Sequence, residues 1–349
     1  MSRTTMKRFW CMRHLWILLA MPLAAGTARI YVSNTAGTTI DVIDAATNKV
    51  VEVIKDIESP EAARFSPDGS RVYITSSGEN VLDVMDRISG KHIKKVPLSG
   101  YSNDLAVTND GRLVLVNIRE ASQNTGALDI IDASSLEKVK TIPLKAGLHD
   151  IVATQDSKYA AAGSVEGHTL TVFDLQSMKI AWEVHYDEGV LPLAIDSNPD
   201  GSGRRIFLQL NHTHGFTVVN FATHAEVARI KLPDEPSGFS SDKHSHGIAI
   251  APDGKTLWVN SWPANAVFVY SLPEIKLLGH VSLPELDMPG KAPRGSEPNW
   301  ITFTPDSKTV YVSTCGTKSI TAIDVQAIKE VTRIPVHEMP DRISTLVLR

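Results

Sequence analysis

Short runs of β-branched and aromatic residues recur along the chain, separated by polar turn residues, with no helical periodicity between them. Two signatures repeat. The first is an apolar run entering a tight turn: RFSPDG at 64–69, AVTNDG at 106–111, IAPDG at 250–254 and TFTPDS at 302–307, with weaker copies at Asp156–Ser157 and Asp200–Gly201. Pro, Asp and Gly supply the backbone angles and side-chain acceptors that such turns need. The second is a β-rich run ending on a polar pivot, at Asp44, Asp86, Asp132, Asp174, Asn220, Ser271 and Asp324. Successive pivots lie 42, 46, 42, 46, 51 and 53 residues apart. A repeat of this length built only from strands predicts the blades of a β-propeller.

Each unit reads as strand A, the PDG-like turn, strand B, a hairpin, strand C, the Asp turn and strand D. Residues 29–56 supply strands B, C and D without an A, and residues 343–348 supply an A with nothing after it. Joined, they complete one blade. With six internal blades the expectation is an all-β, seven-bladed propeller, its ring closed by the C-terminal strand pairing with the N-terminal ones.

Strand B carries a family resemblance. The segments IYVSN (30–34), VYITS (72–76), LVLVN (113–117), LWVNS (257–261) and VYVST (310–314) resemble the YVTN-type propeller repeats of exported proteins, including lactonase-like and nitrite-reductase-propeller-like chains. The resemblance spans nearly the whole chain after its N-terminal segment. It implies the fold and leaves the function open, because similar propellers act as lactonases, streptogramin lyases, haem- or quinone-dependent oxidoreductase domains and plain scaffolds.

The ends and the charge add a setting. Lys7, Arg8 and Arg13, the apolar stretch from Leu15 to Leu23, and the small residues Ala24, Ala25, Gly26 and Ala28 read as a secretory signal over 1–28, with a single propeller domain over 29–349. The expected location is therefore periplasmic or secreted, without a membrane span after cleavage, and the expected state is monomeric. Removing residues 1–28 leaves 31 basic against 39 acidic residues, a balance that argues against nucleic acid as a partner. Cys315 is then the one remaining cysteine, so no disulfide framework forms within the chain.

In a meander of this kind alternate turns share a face. The PDG and Asp turns are short and uniform, whereas the B–C segment around Arg119–Thr125 and the D–A links at 231–245 and 283–298 are long and irregular. Long loops on a rigid ring are where binding sites form. His149 and His246 share one repeat position on that face, seven residues before the turn Asp, where other blades carry Glu61, Asn103, Leu193 and Asn299. His212 and His214 sit in a B–C hairpin, and His244 lies two residues before His246. In extended chain, residues two apart point the same way, so each H-x-H pair presents two imidazoles to one space.

Imidazole is a common ligand of zinc, copper or nickel, so His149, His212, His214, His244 and His246 form a candidate metal site, with Glu297 as candidate base. The competing reading treats each histidine as a polar loop residue. No C-x-x-C-H occurs, which speaks against haem c, and no Gly-rich strand-to-helix motif or G-x-S-x-G elbow is present. The resulting expectation is a ligand- or metal-binding propeller taking a small molecule, peptide or polysaccharide at the channel mouth. A metal-dependent lactonase, lyase or copper oxidoreductase and a non-catalytic scaffold are the alternatives, and whether the protein is an enzyme stays open.

Overall fold

The structure is a computed structural model describing residues 28–120, 125–234, 246–291 and 293–348. The described residues form 28 strands, β1 to β28 in chain order, in seven four-stranded antiparallel sheets. Six sheets take consecutive strands, as in β4 (Pro60–Phe65) to β7 (His92–Pro97). The seventh has the order β28-β1-β2-β3 and joins the two ends of the chain. This is the seven-bladed ring expected from the repeats.

Closure extends further than the sequence indicated. β28 runs from Pro340 to Val347 and starts three residues before the expected Ile343. It pairs with β1 (Ala28–Asn34) from Ala28↔Val347 to Val32↔Ile343, and after an irregularity resumes at Asn34↔Pro340. The irregularity carries the strand past its main run of pairs toward the channel mouth. Pro340 shares its register with Pro60 and Pro298, each the first residue of an innermost strand. Proline is tolerated there because the first position does not need its missing N–H.

The pivots close each blade alike. The residue four after each pivot has positive φ: Asn48, Gly90, Leu136, Met178, His224, Ile275 and Ile328, between 49° and 66°. In five of the seven its N–H returns to the pivot carbonyl, as in Asn48 to Asp44 at 2.8 Å and Ile275 to Ser271 at 2.9 Å. The Asp side chain caps the turn as well, with Asp44 Oδ1 accepting from Thr47 N at 2.8 Å.

The core lies between the sheets. Seven apolar clusters each fill the gap between two neighbouring blades. The aromatic position of strand B supplies the largest fully buried side chains, Trp258, Tyr73 and Tyr311, with Phe207 at the same place in its blade, all at 1% exposure or less. Two clusters depend on the composite blade: Ile30 and Val32 pack against Tyr311 and Ile320, while Tyr31 and Val42 pack against Val72 and Ile74. Tyr311 also donates its hydroxyl to Asn48 Oδ1 at 2.7 Å. Deleting residues 343–349 removes most of the closing strand and opens both clusters. The truncated chain is expected to melt in one transition at least about 10 °C below the intact one by calorimetry; an unchanged midpoint would mean the ring does not need this closure.

Candidate functional site at the channel mouth

The innermost strands present one residue per blade at the same height. Counting from the strand-B aromatic, the register aligns Glu61, Asn103, His149, Leu191, His246, Asn299 and Asp341. All seven line one cavity of about 610 Å³. Two assignments differ from the sequence reading. Leu191, not Leu193, holds the position in its blade, because the turn around Asn198–Ser202 is longer and shifts the count by two. Asp341 enters from the closing strand, which has no PDG turn to count from.

At this height the two shared-position histidines meet. His149 Nε2 and His246 Nε2 are 3.4 Å apart, with the rings edge to face. Gly247 permits the approach of its strand to the next: its φ is 112°, and a Cβ there would collide with the carbonyl oxygen of Asn299. Trp300 backs both rings, stacked on His149 at 6.2 Å and edge-on to His246 at 5.2 Å. Burial, then the charges His246, Arg342 and Arg119 would bring to bear, hold the His149 imidazole well below its ordinary pKa, so it is neutral. Its Nδ1 is buried without a hydrogen-bond partner.

The floor is a buried cation. Arg342, 3% exposed, lies with its guanidinium carbon 3.9 Å from the Trp300 ring centre. Its Nη2 donates to Asn103 Oδ1 and, at 3.0 Å, to the carbonyl of His149. Arg342, Asp341 and Trp300 were missed from the sequence. For Arg342 and Asp341 the signal was the register of the closing strand, legible only once Pro340 is aligned with Pro60 and Pro298; for Trp300 it was its place directly after Asn299.

The remaining predicted residues divide. His212 lines the cavity. His214 does not; its Nε2 is 2.7 Å from Ser261 Oγ and its Nδ1 3.6 Å from Asp234. His244 lies outside the described residues. Glu297 borders the cavity and accepts from Arg294 Nη2 at 3.0 Å and Nε at 3.1 Å. Cys315 is buried, its thiol pushed well above the ordinary range by burial and by nearby Asp341, and it donates to the carbonyl of Pro340 at 2.8 Å. Among the described residues no three His, Cys, Asp or Glu side chains gather as a metal-holding group.

Comparison with known proteins places this geometry. Residues 29–198 match the family described as "Cytochrome D1 heme domain". Among solved structures, hydrazine synthase of Kuenenia stuttgartiensis is similar over 89% of this chain and 99% of its own, at 18% identity and a TM-score of 0.69. Dihydro-heme d1 dehydrogenase NirN in complex with DHE is similar over 90% of this chain and 74% of its own, at 17% identity and a TM-score of 0.58. A functionally unknown protein from Desulfotomaculum acetoxidans is similar over 91% and 98%, at 13% identity and a TM-score of 0.73. No curated protein matches the sequence. These likenesses establish the propeller fold.

The family match corrects the cofactor expectation, a zinc, copper or nickel ion with haem c set aside. The matched family is a haem domain, and a missing C-x-x-C-H bears only on covalent attachment. A haem held by packing and an axial side chain needs no such motif.

One wall of the cavity titrates near neutrality. Glu61, 9% exposed, accepts a hydrogen bond from Tyr101 at 3.1 Å. Burial raises its pKa from 4.5 to about 6, against the pull of Arg342. A carboxyl raised in the folded state stabilises below its unfolded pKa, and that contribution is lost as pH rises through about 6. Glu61→Gln keeps an acceptor for Tyr101 and cannot ionise. Its stability relative to the parent is expected to rise by about 2 kcal/mol between pH 4 and pH 8 in urea titrations; a pH-independent difference would show that Glu61 ionises normally.

Proposed function

We propose that this chain is an exported propeller that binds a haem-type tetrapyrrole, without covalent attachment, in the cavity at the channel mouth. The observation that carries the reading is the pair of imidazole nitrogens 3.4 Å apart in a cavity of about 610 Å³, within a chain whose residues 29–198 match a haem domain. That volume is within the range of cofactor sites.

The residues present fit such a group. A ring nitrogen of a neutral imidazole could hold the iron, and His149 and His246, whose Nε2 atoms are 3.4 Å apart, both line the cavity. Trp262 and Trp300 supply aromatic surface, with Trp262 anchored through its N–H to the carbonyl of Pro298 at 2.7 Å. Arg119 and Arg294 stand at the wall, each already paired with a glutamate, Glu166 and Glu297. Their forks suit the carboxylates of a macrocycle, which would compete with those glutamates. Bound there, a haem supplies redox-active iron. The protein's part is to orient the macrocycle by its rim charges, keep an imidazole neutral for it and exclude water from the floor.

The matched segment contributes Glu61, Asn103 and His149, whereas His246 and Trp300 come from blades beyond it and Arg342 from the closing strand of the composite blade. Both halves of the ring are therefore needed. The strand-B likeness to YVTN-type repeats and the signal-like residues 1–28 support export, and the secreted chain is expected to begin at residues 26–29 when its N-terminus is read by mass spectrometry; a soluble exported form retaining Lys7 would contradict this.

Titrating the purified chain with haem d1 is expected to give a saturable absorbance shift at one equivalent. Replacing His149 or His246 by Ala should weaken binding at least about tenfold, equivalent to about 1.4 kcal/mol. No saturable shift, or unchanged affinity in the double variant, would overturn the reading.

A further inference from the structure

Below its floor the channel opens again on the opposite face, and its lining changes character. The innermost-strand position opposite Tyr73 and its counterparts carries Arg64 in one blade and a small side chain, Ala, Val, Ser or Thr, in the other six. The next position toward the lower mouth is apolar in six blades, with Phe65, Ile195, Ile250 and Phe303 the largest and Thr345 the exception. These two rows line a deep cavity of about 360 Å³ and an outer one of about 560 Å³, which have Arg64, Ala249 and Ile250 in common. We propose that the lower mouth is a second binding site, which takes a small carboxylate with an apolar body, its acid group on Arg64 and its body against the apolar collar.

The charge of the lining selects the acid group. Arg64 is the one charged residue in the two rows, and the small side chains at its height leave its guanidinium bordering both cavities. Its side chain keeps 26% of its surface exposed. Of its five N–H donors, Nη2 supplies a bond to Asp104 at 3.1 Å and Nη1 one to the carbonyl of Ala63 at 3.0 Å. Asp104 also faces Arg342 Nη1 at 3.5 Å, so one buried carboxylate serves two guanidiniums. Arg64 is left with spare donors and a share of its charge unmatched, and a ligand carboxylate completes the pairing.

The collar selects the apolar body. Phe65, Val107, Ile195 and Ile250 are only partly buried, so the mouth keeps apolar surface in contact with water that a hydrocarbon body would cover. Asp150 borders the deep end, two residues beyond Val152 of the Arg64 row and therefore about 7 Å further from the mouth. Its carboxyl accepts from the N–H of Leu193 at 2.9 Å. Trp300 borders both this space and the upper cavity, and with Arg342 stacked on it forms the partition between them. The lower site thus holds whether or not the upper ligand is a haem.

Calorimetric titration of the purified full chain with decanoate, kept below its micelle concentration and with no haem added, tests the site. Decanoate is expected to bind saturably at one equivalent, and decanol and decyltrimethylammonium at least tenfold more weakly. Arg64→Met, which keeps an apolar stem and drops the charge, should weaken decanoate at least tenfold and leave decanol unchanged. Ala249→Phe, or Ala249→Leu if the larger side chain prevents folding, fills space common to the two cavities and should abolish decanoate binding. The comparison of the three ligands on the parent chain stands even if Arg64→Met does not fold. No saturable decanoate binding overturns the site, and decanol or decyltrimethylammonium binding as tightly as decanoate overturns the carboxylate. Unchanged decanoate affinity in the filled variant places the ligand elsewhere and overturns the lower mouth as its seat.

Discussion

The pairing of the last strand with the first is the constraint on which the rest depends. A propeller blade cannot bury both of its faces alone; each of the seven apolar clusters belongs to two neighbouring sheets. An open ring would expose two such faces and two strand edges at once. The same pairing also sets the chemistry, because β28 carries Asp341 and Arg342 into the channel. Stability and site are thus built by one set of backbone bonds, and the cation under the imidazole pair exists only in the closed ring.

Seven equivalent positions around a channel would give a symmetric site if they carried one residue type. Here the ring carries carboxyl, amide, imidazole and alkyl groups, and the layer below carries Asp104, Asp150, Gly247, Trp300 and Arg342. The asymmetry divides the labour. The upper layer is neutral at His149 and flanked by arginines, which suits an anionic ring with a metal centre. The lower layer places a buried guanidinium, Arg342, 3.5 Å from the buried carboxylate of Asp104. A buried charge is tolerable only where partners replace its water, and Arg342 has Asn103, the carbonyl of His149, Asp104 and the face of Trp300.

Much of this was legible from residue spacing. Turn residues occur at fixed offsets, so the blades, the composite closure and the shared height of His149 and His246 follow from counting back from Asp156 and Asp253. Counting failed where the offset changed. The longer turn at Asn198–Ser202 displaced Leu191 from the expected place, and the closing strand has no turn from which to count, which hid Asp341 and Arg342. His212 and His214 show a different limit: alternation places two side chains on one side of an extended chain, but a hairpin is not extended, and Ser261 and Asp234 draw His214 away. The cofactor was misread for a chemical reason. A covalent haem leaves a motif in sequence, whereas a haem held by packing leaves only a cavity, visible when blades distant in sequence are brought together.

The central claim is that the channel mouth is a haem site formed jointly by both halves of the ring. A crystal structure of the full chain grown with haem d1 measures it most directly. The account predicts one macrocycle in the cavity walled by Glu61, Asn299 and Trp262, with its iron facing the imidazole of His149 or His246. A macrocycle seated on the opposite face, or a cavity holding none at saturating haem, would contradict it.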